Sequence, residues 1–197
     1  AAYVLALQRV LDASEQRGAG HARNVGVRAS SAPLLAFVDA DDAVATDWLA
    51  TIVAALGRHP AVASRFDKEL LNPPDLRTSR SLAQQTGLSD HDYAAFLPHA
   101  GGSGLAVRRD VHDEIGGFDT TLRRLQDTHY AWRIKLAGSE LHFEPAALLH
   151  VRFQPEGGAS LRQAFTYGRY DGRLYARYRR HGMARVPLQR TLQQSAV

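Results

Sequence analysis

LLAFVDADDAV, residues 34–44, runs five apolar residues directly into three carboxylates, Asp39, Asp41 and Asp42. Five consecutive apolar side chains suit a β-strand covered on both faces, as in a parallel sheet with helices on each side. In an open α/β sheet, ligands lie beyond the carboxyl ends of the strands. A central strand over 34–38 therefore presents Asp39 and Asp41 to a ligand. Two carboxylates two residues apart on a turn can share a hard divalent cation that keeps open positions for phosphate oxygens. A lone Asp in this place reads more simply as a helix cap. The D-A-D-D run after a greasy strand favours function.

The segments on either side of this stretch read as alternating strands and helices. QRVLDAS (8–14) is expected as a short strand, RGAGHARN (17–24) as a glycine-punctuated loop, and NVGVRASS as a short helix halted by Pro33. Thr46 is placed to cap a helix DWLATIVAALG, whose Trp48, Leu49, Ile52, Val53 and Leu56 recur at helical spacing and which Gly57 ends. Residues 58–100 are less regular, with a turn at NPP (72–74) and long loops. GLAVRR (104–109) reads as a strand and DVHDEIGG as a short helix. TLRRLQDTHYAWRIKLAG holds another helix with Ala131, Ile134 and Leu136 inward, and ELHFEPAALLHVRF reads as a late strand pair. Strands alternating with helices specify an α/β layered domain.

Bulk properties narrow the class. The 197 residues suffice for one core, and 45% hydrophobic with 22% charged residues is ordinary for a globular protein. No apolar run approaches the roughly 20 residues of a bilayer span. There is no cysteine, which excludes disulfides and thiolate metal sites and accords with a reducing cytoplasm. The net charge of +4 is uneven: residues 161–190 hold eight arginines and one acid, Asp171, for +7, leaving about −3 elsewhere. Such asymmetry points to an anionic partner at the tail.

Two chemistries place D-x-D after a strand. A haloacid-dehalogenase-like phosphatase needs Asp39 as nucleophile, a downstream lysine and a later acidic pair. The chain has only Lys68 and Lys135 and no later Asp-Asp. A nucleotide-sugar transferase instead uses the metal to neutralise a diphosphate leaving group.

HARNVGVRASSAPLLAFVDADDAVATDWL (21–49) resembles the family 2 glycosyltransferases, which have a GT-A fold. Their pattern is an A-R-N-x-G segment, a helix, a hydrophobic strand and a D-x-D. GGSGLAVRRDVHDEIGGFDTTL, then LQDTHYAWRIKLAG, then LHFEPAALLHVRF continue the likeness in order to about residue 153. The resemblance implies a glycosyl transfer from a nucleotide-diphosphate sugar to a saccharide or lipid-linked acceptor hydroxyl, with inversion. Asp39 and Asp41 would bind the nucleotide-sugar and hold Mg²⁺ or Mn²⁺, with Asp42 beside them. Arg23 and Asn24, of the A-R-N segment, would lie near the nucleotide. Gln126 and Asp127 stand where the family has Glu-Asp, so Asp127 would be the general base. That role needs reach and an ionised carboxylate. His150 matches a position where some members place a histidine beside the metal. GGFD (116–119) would shape the acceptor side, and Arg133 would hold phosphate or pair with an acid.

The first strands of the family, which recognise the base and ribose, have no counterpart. The expectation is a GT-A layered sheet with helices on both faces, incomplete at its N-terminus, that binds nucleotide weakly and turns over little by itself. Residues 1–155 are assigned to the catalytic domain and 156–197 to a basic, largely helical tail. On a helix, Arg162, Arg169, Arg173 and Arg180 form one stripe and Tyr167, Tyr170, Leu174 and Tyr178 an adjacent one. That pattern suits tyrosines packed on the domain, or a cytoplasmic protein lying on the inner face of an anionic membrane. It suits nucleic acid least. A catalytically silent interaction module is the competing reading.

Overall fold

The computed structural model describes residues 9–153 and 160–186, the latter by backbone alone over 160–165. Its elements in chain order are α1 (Ala19–Arg28), β1 (Leu34–Phe37), β2 (Ala43–Val44), α2 (Trp48–Leu56), β3 (Ala61–Asp67) and α3 (Pro74–Ser79). There follow β4 (Leu105–Arg108), α4 (Arg109–Glu114), α5 (Gln126–Leu136), β5 (Leu141–His150) and α6 (Ser160–Tyr178), closed by a 3-10 turn over Arg179–His181. Gln8 and the residues before it, 154–159 and 187–197, with the expectations falling on them, lie outside the described residues, as does the Arg162 side chain.

The strands form one mixed sheet in the order β1-β4-β3-β5-β2. β4 runs antiparallel to both β1 and β3, β5 is parallel to β3, and β2 pairs antiparallel with the end of β5. β1, β3 and β5 thus point the same way, and their carboxyl ends share one edge of the layer. Helices cover both faces. On one, α2 sets Trp48, Ile52 and Leu56 against Val62, Ala106 and Ala147. Full burial of Ile52 and Leu56 contributes about 1.5–3 kcal/mol each. On the other, Val27 of α1, Val111 of α4 and Tyr130, Ala131 and Ile134 of α5 pack on Ala61, Ala63, Leu105 and Val107.

Several local expectations are corrected. LLAFV forms β1 but is not central: among the described strands it is an edge with β4 as its one neighbour, Ala36 is exposed and Val38 is 41% exposed. The central strand is β3, whose AVAS segment is fully buried. Its small residues fit beneath helices on both faces, so they show neither alternation nor a bulky apolar run. No strand forms over 9–14. The 17–24 loop is mostly helix, because α1 begins at Ala19 and buries Gly20 against Phe118 and Gln126. Thr46 does not cap α2; Asp47 occupies the cap without a side-chain bond. Val53 and Leu136 face outward at 47% and 45% exposure. The late strand pair is one strand: its register with β3 jumps from Ser64↔Glu144 to Arg65↔Leu148, so residues 145–147 are extra to the pairing, with Pro145 and Ala146 exposed and Ala147 buried beneath α2.

The tail helix docks on the domain. Tyr170, Leu174 and Tyr178 are buried with Trp132, Leu122, Ala94 and Met183, while Arg169, Arg173 and Arg180 remain exposed. The tyrosine stripe is therefore a packing face.

Candidate active site

The turn after β1 carries the acidic triplet to the carboxyl edge of the sheet. It closes through Asp42 N–H donating to Asp39 O at 3.2 Å. The three carboxylates have different surroundings. Asp39 and Asp41 are exposed, and one oxygen of Asp39 accepts from the Arg23 guanidinium at 2.6 Å. Asp42 is half-buried, accepting from the Ser103 hydroxyl at 2.6 Å and the Arg152 backbone N–H at 3.0 Å. Its burial pushes the carboxyl above the ordinary range, against these hydrogen bonds, and the charges of Asp39 and Asp41 add to the rise. Asp42 thus braces the turn. Ser103 Oγ also accepts from the Asp39 N–H at 3.0 Å, tying the turn to the loop before β4.

That loop, Gly101–Gly104, links the triplet to Asp127. Gly102 N–H donates to Asp127 Oδ2 at 3.0 Å. The Arg23 guanidinium lies so close over Gly102 that a Cβ there would sit 2.5 Å from Arg23 Nη1. Asp39, Arg23, Gly102 and Asp127 therefore form one continuous line of contacts. Arg23 is 10% exposed, stands 5.4 Å over the Phe118 ring, and its buried Nη1 has no hydrogen-bond partner.

Asp127 stands in the first turn of α5, where the helix dipole favours an anion. The residue before that helix, Leu125, is left-handed at φ 57. A bulky residue costs roughly 1–2 kcal/mol in that region, and such strain collects at functional positions. Here it turns the chain sharply into the helix that carries Asp127.

The other expected residues take different posts. Asn24 exchanges two hydrogen bonds with the Phe118 backbone, at 2.8 and 2.9 Å, so its amide fixes the GGFD turn. Arg133 binds no acid: it donates to the Ile115 and Gly117 carbonyls and holds the same turn from the other side. The parallel register sets His150 opposite Asp67, and its Nδ1 bonds the Asp67 carboxylate at 2.7 Å. Asp39, Asp41 and His150 do not converge as a ligand set among the described residues. Burial alone would raise Asp67, but the hydrogen bonds from His150 and the Glu69 N–H bring it below the usual carboxylate range.

Asp119, the last residue of GGFD, ties this turn to the tail. It accepts from Arg177 of α6 at 2.9 Å, and Arg177 also donates to His129 Nε2 at 2.9 Å. Nε2 must then carry the lone pair, so Nδ1–H of His129 donates to the Tyr178 oxygen at 2.6 Å. Burial, then the Arg133 and Arg177 charges, push His129 down to about 4. Burial would raise Asp119, but hydrogen bonds from Thr121 and Arg177 pull it down to about 2.

Sequence reading passed over the supports of the 101–104 loop. Gln84, buried and at φ 59, donates to Ser64 O and accepts from Gly101 N–H. Gly104, at φ +71, lies where a Cβ would meet Ser64 at 2.8 Å. The GGSG run was the visible signal of a close approach. Nothing marked Gln84, 17 residues upstream.

Comparison with known proteins accords with this arrangement. The profile of Glycosyl transferase family 2 matches residues 7–116. Pre-mycofactocin glycosyltransferase of Mycobacterium tuberculosis is 29% identical over 71% of this chain and 31% of its own length. Glycosyltransferase AglE of Haloferax volcanii is 28% identical over 68% of this chain and 44% of its own. The chain thus spans less than half the length of the curated relatives it matches. Among solved structures, mannosyltransferase PcManGT of Pyrobaculum calidifontis, in complex with GDP-Man and Mn²⁺, aligns with a TM-score of 0.59 at 22% identity, over 88% of this chain and 46% of that one. GalNAc-T7 with UDP, GalNAc and Mn²⁺ aligns at 0.52 and 18%, over 71% of this chain and 31% of that one. The fold is the GT-A fold, and the chain belongs to glycosyl transferase family 2.

Proposed function

We propose that the chain performs an inverting, metal-assisted transfer of a sugar from a nucleotide-diphosphate donor to an acceptor hydroxyl. The observation that carries this reading is the contact line Asp39–Arg23–Gly102–Asp127, which sets the acidic turn beside the candidate base at the carboxyl edge of the sheet. The donor set fits a hard cation. Asp39 and Asp41 are exposed carboxylates on one turn, and Asp42 is committed to holding that turn. They would hold Mg²⁺ or Mn²⁺, which when bound neutralises charge on a departing diphosphate. Arg23 supports an anionic ligand too, because its buried Nη1 lacks a partner. Asn24 serves by fixing the Phe118 turn, and His150 by its bond to Asp67.

Asp127 removes the acceptor proton as the acceptor oxygen bonds to the anomeric carbon. The bond from that carbon to the donor phosphate breaks, its electron pair leaves on the diphosphate, and the configuration inverts. A cavity lined by Arg17, Arg123, Arg124, Arg169 and Tyr170 opens beside the segment leading into α5. Its charge favours an acceptor that carries phosphate, such as a lipid-linked saccharide, at the inner face of an anionic membrane. No helix among the described residues is long and apolar enough to cross a bilayer. In this reading residues 1–155 are the catalytic domain and 156–197 a basic appendage, whose helix α6 docks on the domain through Tyr170, Leu174 and Tyr178.

Calorimetric titration with GDP- and UDP-sugars, with and without Mn²⁺, tests it. Metal-dependent binding lost in Asp41→Ala is expected. Binding indifferent to both Mn²⁺ and Asp41→Ala would instead indicate a silent binding module.

A further inference from the structure

The sheet edge opposite the candidate active site carries a second cluster of ligand-type side chains. It lies at the amino ends of β3 and β5, which the parallel register Ala61↔Leu141 and Val62↔His142 brings side by side. In E-L-H-F-E, residues 140–144, strand alternation buries Leu141 and turns Glu140, His142 and Glu144 to one face. His59, from the turn between α2 and β3, reaches the same face. Its imidazole stacks on that of His142 with centroids 3.8 Å apart and planes 1° from parallel. His59 Nδ1 lies 3.0 Å from Glu140 Oε2, and His142 Nδ1 lies 4.0 Å from Glu140 Oε1.

We propose that His59, Glu140 and His142 form a binding site for a borderline transition-metal ion such as Zn²⁺, separate from the Asp39–Asp41 turn. Among the described residues this is the one place where three such ligand atoms lie within 4.8 Å of one another. A tetrahedral ion with bonds of about 2.0–2.1 Å needs its ligands about 3.4 Å apart. Rotations of two partly exposed histidines and an exposed glutamate cover that difference. The parallel rings must swivel, since both in-plane lone pairs have to meet one ion.

A carboxylate for the outer shell stands nearby. With Nδ1 of His142 on the ion, its Nε2–H faces Glu144 Oε2 at 3.9 Å, and Glu144 is in turn 3.8 Å from Arg58. A carboxylate behind a ligating histidine fixes its tautomer and raises its basicity. Two imidazoles and one carboxylate select Zn²⁺ and its neighbours, whereas an all-oxygen acidic turn selects Mg²⁺ or Mn²⁺. The two sites therefore differ in chemistry as well as place. The bound ion would fasten the turn after α2 to the start of β5.

Calorimetry with ZnCl₂ on the whole chain tests the inference without any donor or acceptor. One Zn²⁺ per chain is expected, with a rise in melting midpoint that is lost in His142→Ala and kept in Asp41→Ala. Affinity should fall at least tenfold in both His142→Ala and Glu140→Gln, and hold in Asp41→Ala. Circular dichroism checks that the variants fold, and Co²⁺ substitution should give the d–d spectrum of a low-coordinate nitrogen and oxygen site. Absence of Zn²⁺ binding overturns the proposal, as does Zn²⁺ binding that survives His142→Ala or is lost in Asp41→Ala.

Discussion

Replacing Gly102 with alanine tests whether the loop and the guanidinium were shaped for each other. The new Cβ would stand 2.5 Å from Arg23 Nη1 and 2.7 Å from Cζ and Nη2. Ordinary contact begins near 3.4 Å, so the guanidinium must retreat by about 1 Å. The 2.6 Å bond to Asp39 then stretches past hydrogen-bond range. A charged hydrogen bond is worth about 1.5–3 kcal/mol, and the 48% exposure of the Asp39 side chain reduces that to about 1 kcal/mol. The expected loss is about 2–4 °C in melting midpoint and about fivefold in Mn²⁺-dependent nucleotide binding. The assay is a double-mutant cycle followed by thermal unfolding and calorimetry. On an Arg23→Ala background no guanidinium remains to clash, so Gly102→Ala should cost nothing further. Strict additivity of the two substitutions would refute the reasoning.

Other perturbations read other links. Asp127→Asn still offers an oxygen to Gly102 N–H, so it should leave the melting midpoint in place while slowing transfer by about 10²–10⁴-fold; transfer at the wild-type rate removes Asp127 as base. Leu174, 1% exposed, anchors α6, and Leu174→Ala should cost about 2–5 kcal/mol, read by urea unfolding; an unchanged midpoint means the helix is not docked. Burial has pushed His91 and His129 down to about 4, so the unfolded chain takes up their protons first and stability falls as pH drops from about 6.5 toward 4. Asp171, 3.4 Å from His91, is pushed up to about 6 by burial and then by Asp92, so its ionisation removes stability as pH rises through 6. Asp171→Asn should therefore raise the midpoint at pH 8 and steepen the acid fall; melting curves that shift equally at every pH contradict this.

Signals carried by neighbours in the chain were legible early. The apolar run before Asp39, the spacing of Trp48, Ile52 and Leu56, and the order of the motifs to residue 153 lead to an α/β sheet, a GT-A resemblance and the acid pair. The helix periodicity of the tail also separates the tyrosine stripe from the arginine stripe, though not what the tyrosines touch. The structure sets Tyr170, Leu174 and Tyr178 against Trp132. β3 escaped notice because a strand of small residues buried on both faces has no periodicity to betray it.

Sequence by itself determined which residues could bear charge, the helical periodicity of α2, α5 and α6, and that Asp39 and Asp41 follow a strand. Only the tertiary structure decided what each polar group meets. Asn24 went to the Phe118 backbone, Arg133 to the carbonyls of the glycine turn, His150 to Asp67, and Gly102 to its place between Arg23 and Asp127. The reason is physical: a propensity acts over three or four residues along the chain, whereas these bonds span 16 to 94 positions. Their partners are fixed by strand order and register, which bring together groups that no local pattern relates.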